Sequence, residues 1–183
     1  MASATVEVAT LPKIFEARRS GNITLRNLGF EMANSVVYRF AVNFEGCRDI
    51  LIEDCIFRHN NWRGMKIGTS ENVTLTRVNA SENGASGMDL WQIRKLRMTD
   101  CVTNSNNWRG AAGGMKIWAI GGVKVMFIND GHILRHHSQY NQTRGFWFDN
   151  MNQNILFEDC KLIDNECDGL FLEKTPGPFT VKN

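Results

Sequence analysis

Asn60-Asn-Trp-Arg-Gly64-Met-Lys-Ile67 is answered 23 residues on by Asn83-Gly-Ala-Ser-Gly87-Met-Asp-Leu90: an Asn, three residues, a Gly, then an apolar-x-apolar strand. The phrase returns as Asn141…Gly145-Phe-Trp-Phe148 and Asn165…Gly169-Leu-Phe-Leu172. Asn106 and Gly110 begin a further copy that Ala111-Ala-Gly-Gly114 carries on to Met115-Lys-Ile117. Counted on the Asn, successive copies stand 23, 23, 35 and 24 residues apart. Periods of that size belong to one coil of a solenoid, which cannot bury its apolar face without its neighbours.

Within a coil the apolar residues alternate with polar ones, the period of a β-strand and not of a helix. From Gly64, Met65 and Ile67 point inward while Lys66 and Gly68 point out; Val73 and Leu75 point inward on a second strand, and Val78 begins a third. Equivalent first-strand pairs are Val42/Phe44, Met88/Leu90, Met115/Ile117, Phe146/Phe148 and Leu170/Leu172; second-strand pairs are Ile23/Leu25, Ile50/Ile52, Leu96/Met98, Val123/Val125 and Ile155/Phe157. Short strands with equivalents in each coil stack in parallel about 4.8 Å apart. The pattern predicts an all-β, single-stranded, right-handed parallel β-helix, a pectate-lyase-like solenoid of about 6–7 coils, with handedness following the rule for parallel crossovers. The column Asn60, Asn83, Asn106, Asn141, Asn165 reads as an asparagine ladder at one turn of each coil.

The 183 residues read as one domain: residues 1–21 fit the repeat poorly and form an irregular edge coil or cap, and 22–183 are repeats. The chain stops on the alternating Phe179-Thr-Val-Lys-Asn183 without a polar cap, which predicts a solenoid incomplete at its C-terminus, with exposed end coils available for self-association. Basic and acidic residues (21 and 19, net +2) are mixed along the chain, so nucleic acid is not an expected partner. No stretch has the length of a membrane span or the layout of a signal peptide. Five cysteines cannot all pair within one chain, and Cys55, Cys101 and Cys160 recur at a position held by Val78 and Ile128 in other coils, which predicts buried free thiols. Cys47 and Cys167 fall outside that column. His132, His136, His137 and Tyr140 lie in the longest excursion, between Asp130 and Arg144, read as a loop that walls a binding site. Their spacing would suit a metal only on a helix, and neither metal nor cofactor is expected.

Chemistry must sit on the outward side of the first strands. One outward column reads Asn43, Lys66, Asp89, Lys116, Trp147, Phe171; a second, two residues along, reads Glu45, Gly68, Trp91, Trp118, Asp149, Glu173. Exposed Trp beside charge suits the apolar faces of sugar rings, making an oligo- or polysaccharide the expected partner. Asp149 and Glu173 fall in one column on adjacent coils, about 4.8 Å apart at the backbone. Retaining glycosidases hold their two carboxyl groups about 5–5.5 Å apart, and inverting ones about 6.5–9.5 Å. Trp91, Trp118, Trp147, Lys116, Arg144 and His137 are the candidate substrate contacts.

The segment Gly145-Phe-Trp-Phe-Asp149, followed one coil later by Gly169-Leu-Phe-Leu-Glu173-Lys-Thr-Pro-Gly-Pro-Phe179, resembles the β-helical glycoside hydrolases of the β-xylosidase type over about 35 residues. The resemblance implies Asp149 as nucleophile and Glu173 as general acid/base. Two other readings share the same face. Stacked Lys66 and Lys116, with Arg63 and Arg109 in the repeated Asn-Trp-Arg phrase, could supply the base of a uronate lyase, and the Trp face alone would serve a non-catalytic binding module.

Overall fold

The computed structural model describes residues 8–183. Its first coil runs through β1 (Phe15–Arg18), β2 (Gly21–Arg26) and β3 (Gly29–Glu31), and its second through β4 (Phe40–Glu45), β5 (Arg48–Glu53) and β6 (Ile56–Arg58). In the next two coils the first and second strands merge as β7 (Arg63–Thr76) and β8 (Met88–Thr99). A short helix, α1 (Gly113–Trp118), precedes β9 (Gly121–Met126), β10 (Asn129–Leu134) and β11 (His137–Gln139). Then come β12 (Arg144–Asp149), β13 (Gln153–Glu158), β14 (Lys161–Ile163), β15 (Leu170–Leu172) and β16 (Phe179–Lys182). Every strand pair is parallel and joins neighbouring coils, so seven first strands (β1, β4, β7, β8, β9, β12, β15) stack into one face of a β-helix. The stretch read as an edge coil or cap contains β1, which pairs in register with β4, Phe15 opposite Val42; residues 1–7 lie outside the described residues.

Period-two alternation does what it should. Val42, Met65, Met88, Val123 and Phe146 form one inward column, and Phe44, Ile67, Leu90, Val125 and Phe148 the next, all buried. Each buried side chain of this size contributes about 1.5–3 kcal/mol.

The asparagine column is the polar counterpart of that core. Side-chain amides pass from coil to coil: Asn60 Nδ2 to Asn83 Oδ1 (3.0 Å), Asn83 to Asn106 (3.2 Å), Asn106 to Asn141 (3.0 Å) and Asn141 to Asn165 (2.8 Å). Each Oδ1 also accepts the backbone N–H of the preceding Asn, as Asn106 Oδ1 does from Asn83 N at 3.0 Å. The second Nδ2 proton goes to a carbonyl one coil back, Ala80 O for Asn106. Glycine follows from lack of space: a Cβ on Gly87 would stand 2.4 Å from Ala80 O and 3.0 Å from Asn106 Nδ2. On Gly122 it would stand 2.9 Å from Asn141 Nδ2, and on Gly145 2.6 Å from Asn165 Nδ2.

That requirement corrects the reading of the fifth coil. Gly122, not Gly114, takes the position beside the ladder, so β9 is the first strand, with Val123 opposite Met88 and Val125 opposite Leu90. The second strand is β10, where Gly131 and Ile133 stand opposite Leu96 and Met98. Met115 and Ile117 belong to α1, which bulges out of the solenoid between Asn106 and Gly122. The supposed loop from Asp130 to Arg144 is ordinary β10 and β11.

The shift also changes the cysteine column. His136, not Ile128, follows Cys55, Val78 and Cys101 and precedes Cys160, while Ile128 belongs with Cys47, Ser70 and Ile93 at the bend before the second strand. All five thiols are free. His136 is buried among apolar neighbours, edge-on to Phe146 at 5.2 Å, with Nε2 3.0 Å from Thr103 Oγ1. Burial pulls its pKa from 6.5 to about 3, with His137 adding to the shift.

Two outcomes follow. Asn106→Ala orphans the buried N–H of Asn83 and the carbonyl of Ala80, each at about 1–3 kcal/mol, so chemical denaturation should show a loss of about 2–6 kcal/mol; a loss below about 1 kcal/mol would contradict the ladder. For His136 the unfolded imidazole binds a proton that the native one refuses between pH 6.5 and about 3. Stability is therefore full above that window and falls with pH through it, by up to about 1.4 kcal/mol per pH unit. His136→Cys, the residue type of the neighbouring coils, should flatten that slope; identical slopes in the two proteins would refute it.

Candidate functional site

With β9 in register, the outward columns of the first-strand face become Glu16, Asn43, Lys66, Asp89, Lys124, Trp147, Phe171 and Arg18, Glu45, Gly68, Trp91, Met126, Asp149. Lys124 replaces Lys116 and Met126 replaces Trp118. The displaced residues are carried on the strap 107–120 that contains α1, and the strap folds back over the face.

Three cations from the face tie it there. Arg63 Nη2 donates to Ala119 O (2.7 Å), Lys124 Nζ to Trp118 O (2.6 Å) and Arg144 Nη1 to Ile117 O (2.6 Å). They satisfy the last carbonyls of a helix whose dipole favours positive charge at that end. Ala111, Met115 and the fully buried Ile120 of the strap pack on Trp62 and Ala85 beneath.

Between strap and sheet lies a cleft of about 490 Å³. Its aromatic lining is Tyr38, Trp91 and Trp118, with Tyr38 set edge-on to Trp118 at 6.5 Å. Its charged lining is Arg63, Asp89, Lys124 and Asp149. Asp89 Oδ2 meets Arg63 Nη1 at 2.9 Å. Desolvation raises the Asp89 carboxyl above the ordinary aspartate value, opposed by the charges of Arg63, Lys124 and Lys66. Desolvation likewise lowers the Lys124 ammonium, opposed by Asp149, whose Oδ2 lies 3.1 Å from Lys124 Nζ. Asp149 Oδ1 accepts from Asn150 N (2.8 Å) and Asn150 Nδ2 (2.5 Å). The acid is thus held at both oxygens and buried to 7 % exposure, on the cleft floor.

The other expected site residues divide. Trp91 and Trp118 line the cleft, 37 % and 64 % exposed. Glu173 follows Leu172, which pairs with Phe148, so it continues the Asp149 column on the next coil; it is half-buried and outside the cleft lining. Trp147 is outward in the pleat but only 1 % exposed, so it offers no sugar platform. Lys124 lies 3.6 Å from its ring centroid and Arg144 4.3 Å, and these cations and Phe171 cover it. Arg144 is itself engaged by Asp168 at 2.9 Å. Lys116, on the strap, pairs with Glu166 and is away from Lys66 and Asp89. His137 sits on the third strand, β11, away from this face. Sequence reasoning missed Lys124, Tyr38 and Asn150 as lining residues and Asp89 as a cleft acid. Gly121-Gly-Val-Lys124 carries the same apolar-x-apolar signal as Gly113-Gly-Met-Lys116, and the long 35-residue spacing was the sign that one of them lies outside the coil.

Among the described residues no three His, Cys, Asp or Glu side chains gather to hold a metal ion. A search of curated proteins finds none that matches this chain. The family model described as the right handed beta helix region matches residues 16–183, from β1 through the last strand, and the chain belongs to that family.

Proposed function

We propose that the first-strand face is a carbohydrate site and that Asp149 and Glu173 cleave a glycosidic bond there with retention of configuration. The observation that carries this reading is Asp149, a carboxylate at the floor of an aromatic-walled cleft, with Glu173 following it in the column one coil on. Adjacent coils separate the two backbones by about 4.8 Å, a spacing from which the two carboxyl groups can reach the roughly 5–5.5 Å separation of retaining enzymes.

In the first step an Asp149 carboxylate oxygen attacks the anomeric carbon, the glycosidic C–O bond breaks, and Glu173 gives its proton to the leaving oxygen. In the second, Glu173 takes a proton from water, the water oxygen attacks the same carbon, and Asp149 leaves as carboxylate. Lys124 and Asn150 orient the nucleophile through the contacts they already make. Trp91, Trp118 and Tyr38 present flat apolar rings to the sugar.

Aryl glycosides provide the assay, with a glycosyl adduct on Asp149 sought by mass spectrometry. Asp149→Asn should lower turnover about 10³-fold or more, the scale on which loss of a covalent catalyst is felt. Undiminished hydrolysis would reject the assignment, and an unsaturated uronate product, or sugar binding without any turnover, would replace it with the lyase or the binding module. Trp118→Ala should raise KM by about 2–10-fold with kcat unchanged, since a stacked aromatic contributes about 0.5–1.5 kcal/mol. An unchanged KM would remove Trp118 from the site.

A further inference from the structure

Positive charge on this molecule is mostly neutralised by a neighbour. Nine of the thirteen arginines pair with a carboxylate. Arg19 and Arg48 pair with none among the described residues, and both line one groove of about 730 Å³. The groove lies at the bend between first and second strands. It borders the cleft, because Gln92 and Phe127 in its lining directly follow Trp91 and Met126 in the lining of the cleft.

Two glycines make the recess. Gly21 stands opposite Arg48 in the register of β2 and β5, and Gly46 takes the place that Thr69, Gln92 and Phe127 hold in later coils. The Arg48 side chain fills the space left by the first, where a Cβ on Gly21 would meet its Cγ and Nε at 2.9 Å. Arg19 Cγ runs 3.6 Å from where a Cβ on Gly46 would stand. Both stems are thus seated on backbone, which lowers the rotamer entropy a ligand has to freeze. The acids nearby are already engaged: Glu71 by Arg94, Glu45 by Lys66 at 2.9 Å, and Asp49 by Asn72 at 2.6 Å.

We propose that Arg19 and Arg48 bind the oxyanion of an acidic glycan, a carboxylate or a sulfate ester, in this groove. The sugar class rests on the carbohydrate reading above, and the anion rests on the two arginines. A guanidinium presents planar, paired N–H donors that match two oxygens of either group. Gln92 adds an amide, and Phe127, 39 % exposed, offers an apolar ring face to the sugar that carries the anion. A neutral sugar would leave both guanidinium charges unanswered. A glycan anchored here by its acid group lies beside the cleft.

Isothermal titration of the full chain at pH 7 and low salt, with xylotetraose, sulfated xylotetraose and tetragalacturonate, tests the site. At least one acidic tetramer should bind about ten-fold or more tighter than xylotetraose, and the one that does identifies the anion as sulfate or carboxylate. Arg19→Gln with Arg48→Gln should erase that advantage and leave xylotetraose binding and aryl glycoside hydrolysis unchanged. Arg26→Gln with Lys161→Gln, which removes the same charge away from the groove, should leave the advantage in place. Arg48→Lys, which keeps the charge and loses the fork, should cut it about three-fold or more, and it decides the matter if the double variant does not fold. No preference for either acidic tetramer, a preference that survives the loss of both arginines, or one lost equally in the control would overturn the proposal. Inorganic sulfate binding as tightly as the acidic tetramer would overturn the glycan assignment. Acidic binding through these arginines in a chain that hydrolyses nothing would remove only the hydrolase reading, whereas hydrolysis without such binding would remove only this site.

Discussion

The stacking of the coils from Asn60 to Asn165 is fixed by one hydrogen-bonded column. The amide of Asn106 takes two donors from Asn83, gives one proton to Asn141 and the other to Ala80 O, and so leaves no valence open. A buried amide that is fully satisfied only in one alignment fixes the vertical register of the coils, because a slip by one residue would orphan all four bonds and turn the inward side chains outward. The glycine beside it is the steric side of the same constraint, since backbone and amide leave no room for a Cβ. With that register set, the outward residues of the first strands must fall into columns, and the cleft is built from those columns.

The cleft owes its character to cations with two duties. Arg63 serves Asp89 and the carbonyl of Ala119, and Lys124 serves Asp149 and the carbonyl of Trp118. Each thereby couples a site carboxylate to the strap above it. Burial raises the cost of leaving any of these charges alone, so the acids, the cations and the strap carbonyls are stable only as a set. A ligand that engages one member changes the balance for the others.

Much of the fold was legible because it follows from period two plus the Asn…Gly phrase, both local in sequence. The fifth coil was not, since two Gly-Gly-x-Lys phrases compete there and only the space beside Asn141 chooses between them. That single choice moved Lys124 into the acid column, sent Trp118 onto the strap and put His136 where cysteine stands in neighbouring coils. Alternation also could not tell that Trp147, outward by pleat, is roofed by Lys124, Arg144 and Phe171, because those contacts arise between coils. The Asp149 and Glu173 column was legible, as both lie in coils of regular spacing.

The register of the fifth coil is open to direct chemical measurement. Parallel neighbours in one column lie about 4.8 Å apart, within the roughly 4.4–6.8 Å between Cα atoms that a disulfide spans. Oxidising a chain carrying Asp89→Cys and Lys124→Cys should give an intramolecular crosslink between those positions, mapped by mass spectrometry, while Asp89→Cys with Lys116→Cys gives none. Crosslinking through position 116 and not through 124 would contradict the register on which the cleft rests.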